Sequence, residues 1–76
     1  MRTVIQTLNT CELTPMIAIF KITSKMTTMK RGDILEVIGK YRHFEKDMKN
    51  VCSKLQKRYT LITNDNNGSV KCLIYI

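Results

Sequence analysis

The chain has 76 residues, of which 43% are hydrophobic and 25% charged, and its formal charge is +7. This length predicts one small domain over 1–76, able to bury only about 60% of the surface that its unfolded form exposes. A deep catalytic cavity is therefore not expected, and any activity belongs on a surface loop or a shallow edge. No run approaches the length of a membrane span, and the first ten residues lack the apolar centre of a signal peptide, so no membrane association is expected.

The three cysteines form an odd set with no CxxC and no metal-like spacing. That argues against a disulfide framework and a structural zinc site, so neither a metal nor a cofactor is expected. A reduced, cytoplasmic setting is the simplest reading. The positive charge is unevenly spread. Residues 40–58 carry seven Lys or Arg against two acids, a net of +5, whereas 59–76 are neutral. A partner with an acidic surface or a phosphate backbone is favoured electrostatically.

Residues 3–8, rich in β-branched side chains, read as a first strand. Thr14 is suited to cap a helix and Pro15 to its first position, where the missing N–H costs nothing. Met16, Ile19, Phe20, Thr23 and Met26 then recur at helical spacing as one mostly apolar face. Gly32 closes that region, and Ile34–Gly39 reads as a second strand. Phe44, Met48, Val51 and Leu55 make the stripe of a second helix, with Lys46, Lys49 and Lys57 on its other side. Residues 59–63 and 70–76 read as strands joined through 64–68, where Asn67-Gly68 favours a hairpin because both residues tolerate positive φ.

The order is thus β-α-β-α-β-β. The first crossover makes the first two strands parallel, and both helices need one apolar surface to bury their stripes. The predicted fold is an α/β two-layer sandwich, a four-stranded mixed sheet with both helices on one face. Phe20, Leu35, Val37, Phe44, Met48, Val51, Leu55 and Ile74 are expected in its core. The loops leaving the first two strands then share the carboxyl edge of the sheet, where open α/β sheets tend to bind ligands. Cys11 lies in the first loop; Lys40, Tyr41, Arg42 and His43 lie in the second.

The run Gly32-Asp33-Ile34-Leu35-Glu36-Val37-Ile38-Gly39, followed by Phe44-Glu45-Lys46-Asp47-Met48-Lys49-Asn50-Val51-Cys52, resembles the TusA/SirA-like sulfur-carrier family. The resemblance covers nearly the whole chain and is moderately specific. It implies the same element order and a cysteine that carries a persulfide. The family's Cys-Pro-x-Pro signature falls on Thr14-Pro15-Met16-Ile17. Its first proline is kept as Pro15, the second is replaced by Ile17, and Thr14 stands where the cysteine would be. Cys11 lies three residues earlier. In place of an acidic stretch after the second strand, this chain has Lys40-Tyr41-Arg42-His43.

Each candidate residue has two readings. Cys11 is either a reactive thiol, since a cysteine before a helix N-terminus is biased toward thiolate, or a loop residue filling a gap under the helix. Cys52, at the edge of the second helix's stripe, reads as a partly buried small hydrophobe, and Cys72 as core. His43 is either a base or cation beside Cys11, or a capping or surface residue. Lys40 and Arg42 are the better candidates for touching a partner, while the helix lysines read as a solvated face.

Two functions are therefore expected to compete. One is a small sulfur carrier or sulfurtransferase holding a persulfide on Cys11, with Thr14, Pro15, Lys40, Arg42 and His43 around it and a sulfur-donor or acceptor protein as partner. The other is a non-catalytic basic module of the same fold that engages an acidic protein. Nucleic acid is the weaker partner, because Tyr41 is the only aromatic residue of the basic loop.

Overall fold

The computed structural model describes residues 3–64 and 68–76. In chain order the elements are β1 (Ile5–Asn9), α1 (Pro15–Thr27), β2 (Ile34–Gly39), α2 (Phe44–Lys54), β3 (Arg58–Asn64) and β4 (Ser69–Tyr75). The strands form one sheet in the order β1-β2-β4-β3. β1 and β2 are parallel, while β4 runs antiparallel to both β2 and β3. Of the turn expected between the last two strands, residues 65–67 lie outside the described residues; Gly68 has φ +72°.

The register fixes the two faces. Gln6 and Leu8 pair with Leu35 and Val37, which in turn pair with Ile74 and Cys72. Leu35, Val37, Cys72 and Ile74 are fully buried and pack in one cluster with Ile22 and Met26 of α1 and Phe44, Met48 and Cys52 of α2. Both helices therefore cover this one face. The other face carries Ile5, Thr7 and Asn9 beside Ile34, Glu36 and Ile38, and no element of the described chain covers it.

Local chemistry explains where the helices begin and end. The hydroxyl of Thr14 accepts a hydrogen bond from Ile17 N–H at 3.4 Å, with Pro15 at the first helical position. At the other end of α2, Gln56 N–H donates to the Ser53 carbonyl and Lys57 N–H to the Cys52 carbonyl, at 3.2 and 2.9 Å. These two bonds form a Schellman turn, whose left-handed position usually belongs to glycine. Here Gln56 occupies it with φ +55°.

Two residues expected in the core are not there. Phe20 is 60% and Leu55 44% exposed. On α1 the stripe against the sheet is Ala18, Ile22 and Met26, so Phe20 falls to the side of the helix and Met16 is exposed as well. α2 ends at Lys54, which makes Leu55 a cap residue on a chain already turning away. Lys57 likewise lies beyond the helix whose outer face it was expected to share.

Gly39 closes β2 where the Phe44 ring lies directly over its α-carbon, so that a β-carbon would occupy the space of the ring. The start of α2 can seat only because this strand ends in glycine.

The Schellman turn yields a test. Gln56→Gly should stabilise the protein by up to about 1 kcal/mol, because a non-glycine residue is strained in the left-handed region. Denaturant unfolding of the two proteins measures this; an equal or lower midpoint for Gln56→Gly would contradict the assigned turn.

Candidate functional site

The carboxyl edge shared by β1 and β2 is locked by Thr10. Its side chain is fully buried, and both its hydroxyl and its N–H donate to the carbonyl of Ile38, at 2.7 and 2.8 Å. The Thr10 carbonyl then accepts from Leu13 N–H at 3.1 Å, which turns the chain toward α1. A threonine at the end of a strand gives no sequence signal for this role. Its burial shows only once β2 is set beside β1.

Cys11 follows directly. Its N–H donates to the side-chain oxygen of Asn9 at 2.9 Å, a local Asx-type turn that fixes the backbone of the thiol-bearing residue. The side chain is half-buried in a shallow open depression of about 340 Å³ lined by Asn9, Cys11, Glu12 and Leu13. The exposed carboxylate-bearing Glu12 is its immediate neighbour in the chain. Thr14 and Pro15, both exposed, start α1 from the same loop.

The other two thiols are in the core, as expected for Cys72 and more deeply than expected for Cys52. Both are fully buried, and they are neighbours across the interface of α2 and β4. The hydrogen bond to Cys52, and burial after it, push the Cys72 thiol up, so that it stays protonated. Neither thiol is presented to a partner.

In the second loop, Lys40, Arg42 and His43 are all exposed. His43 occupies the N-cap position of α2, but its side chain makes no capping bond. The helix start is held instead by backbone bonds, Phe44 N–H to the Tyr41 carbonyl at 3.1 Å and Asp47 N–H to the His43 carbonyl at 2.9 Å. Parallel pairing of β1 and β2 brings this loop and the Cys11 loop to the same edge of the sheet.

Tyr41 anchors the loop from beneath. Its ring meets Phe44 edge to face at 5.5 Å between centroids. Its hydroxyl is buried with no partner in hydrogen-bonding geometry. Burial pushes the phenol well above its ordinary range, and the Asp47 carboxylate acts in the same direction by opposing a phenolate. Among the described residues, no three His, Cys, Asp or Glu side chains come together as a metal site would need. No helix among them is long and apolar enough to cross a membrane.

The chain matches no family model, no curated protein and no solved structure.

The raised phenol has a definite consequence for pH. Its folded-state pKa lies above the unfolded value of about 10, so the folded form holds the proton longer. The stability this contributes is complete below that pH and is lost as pH rises beyond it. Tyr41→Phe should flatten the fall in stability on the alkaline side, and near neutral pH it should cost little, since the hydroxyl it removes has only the nearby Asp47 carboxylate, outside good hydrogen-bonding geometry. Unfolding free energies measured from neutral to alkaline pH check both parts; an unchanged alkaline slope would contradict the burial of the phenol.

Proposed function

We propose that this protein is a small sulfur carrier working through Cys11. The Cys11 thiolate attacks the outer sulfur of a donor persulfide. The donor's S–S bond breaks, the donor leaves as a thiolate, and a persulfide forms on Cys11. An acceptor thiolate takes the sulfur in the reverse sense, with no net oxidation or reduction and no metal or cofactor. The observation that carries the reading is the partition of the three thiols: Cys52 and Cys72 are sealed in the core, whereas Cys11 reaches the surface on a loop braced by Thr10 and Asn9. The element order and the one-sided helix layer agree with the resemblance to the TusA/SirA-like family drawn from the sequence.

Lys40 and Arg42, exposed at the same edge of the sheet, suit them to guide a donor or acceptor with an acidic surface in a reduced, cytoplasmic setting. Thr14 and Pro15 set the helix start beside the thiol, and His43 adds a titratable group to the opposite loop. The same exposed cations support a second reading, a basic binding module with no sulfur chemistry.

Intact mass after incubation with a small-molecule persulfide donor separates the two. The wild-type protein should gain the mass of one sulfur, and Cys11→Ser should gain none. A wild-type protein that stays unmodified, or a Cys11→Ser protein modified equally, would remove the carrier reading and leave the binding module.

A further inference from the structure

We propose that the free edge of β1 is a docking site for an extended acidic peptide, which adds to the sheet as a fifth strand. This inference is independent of the chemistry proposed for Cys11.

Backbone geometry comes first. Ile34 N–H donates to the Val4 carbonyl, and Thr10 N–H donates to the Ile38 carbonyl. In a parallel ladder the residues that bond the neighbouring strand recur at every second position. Val4, Gln6, Leu8 and Thr10 therefore turn their backbone groups to β2, while Ile5, Thr7 and Asn9 turn theirs outward. β1 is the end strand of the sheet, so this row faces away from every other strand.

Soluble proteins usually guard such edges with charge, proline or a bulge. β1 has none of these: its sequence is Ile-Gln-Thr-Leu-Asn, and its register with β2 runs without interruption. The opposite edge differs, since β3 opens on Arg58, directly after Lys57.

A shallow, open groove of about 490 Å³ lies between the β1 edge and α1. Leu8 and the exposed ring of Phe20 give it apolar sides, Thr7, Ser24 and Thr28 give it hydroxyls, and Lys21 and Lys25 are its ionisable side chains among the described residues. An added strand would point alternate side chains toward one face of the sheet, which here means into this groove. The two lysines are one helical turn apart on the same side of α1 and no acid among the described residues lines the groove, so the side chains that fit are carboxylates interleaved with apolar groups. The exposure of Phe20, unexpected for a core residue, is accounted for as one wall of this site.

The charge also argues against a second copy of this chain. Pairing two β1 edges across a two-fold axis would bring two pairs of lysines toward one seam, between molecules that each carry +7.

The test uses a short fluorescent peptide alternating valine and glutamate, titrated by anisotropy, with amide NMR shifts followed on the protein. Binding should shift the amides of Ile5, Thr7 and Asn9. Reversing both groove lysines, Lys21→Glu with Lys25→Glu, should weaken binding by about tenfold or more, on the usual scale for two rim charges. Lys46→Glu with Lys49→Glu, on the outer side of α2, should weaken it much less. Thr7→Pro removes an outward donor and no ladder bond, so it should abolish binding while leaving the fold intact. The same peptide N-methylated at alternate residues should fail to bind the unaltered protein, a result that does not depend on any variant folding. Several results would overturn the proposal: no binding of the valine–glutamate peptide, binding that survives both Thr7→Pro and N-methylation, equal losses from the two lysine pairs, or a dimer in solution that Thr7→Pro dissociates.

Discussion

The structure depends on the burial of four side chains on the two central strands. Leu35 and Val37 of β2 and Cys72 and Ile74 of β4 have no exposed surface, and both helices are seated on them. β2 and β4 are the strands with neighbours on both sides, so their backbone groups are satisfied within the sheet and their apolar side chains have one place to go. A chain of this size has no second core to fall back on. Both helices contribute to this one cluster, and the edge strands are held by pairing to its two sides.

That arrangement also decides what is left for chemistry. Because β1 is tied to β2 in parallel, the two loops leaving these strands emerge together, and the buried Thr10 clamps their bases to the Ile38 carbonyl. The same central patch takes in Cys52 and Cys72, holding their thiols away from solvent beneath α2. Cys11 is spared because it lies just beyond the clamp, in the turn that Asn9 braces. One packing constraint thus accounts for both the silent thiols and the available one. The free edge of β1 has the same origin: a sheet of four strands under two helices has two ends, and α1 lies beside this end without sealing it.

Much of this was legible in the residues, and the misses have physical causes. The start of α1 and both ends of β2 were readable because they rest on local chemistry, the Thr14-Pro15 pair and the glycines around Ile34–Ile38. The two-layer fold followed from two apolar stripes in need of one surface. The placement of Phe20 did not follow, because α1 is apolar around a broad arc and periodicity cannot say which part of the arc meets the sheet. Leu55 continued the stripe of α2 in spacing alone; the helix stops one residue earlier at a left-handed Gln56, a position that sequence reading expects glycine to mark. The burial of Cys72 was legible because it alternates with Val70 and Ile74, and that of Cys52, deeper than expected, because it borders a helical stripe. Thr10 carries no signal in the sequence because its burial is made by a strand distant in sequence, and Lys21 and Lys25 carry none because their meaning comes from the uncharged strand beside them.

This fold withdraws two thiols and presents one. Native-state alkylation followed by intact mass and peptide mapping tests it most directly. The expected result is prompt addition of a single label at Cys11, with Cys52 and Cys72 labelled only as fast as the protein unfolds, and with all three reacting together in denaturant. Labelling of Cys52 or Cys72 as fast as Cys11 in the native protein, or a Cys11 that stays unlabelled until unfolding, would contradict it.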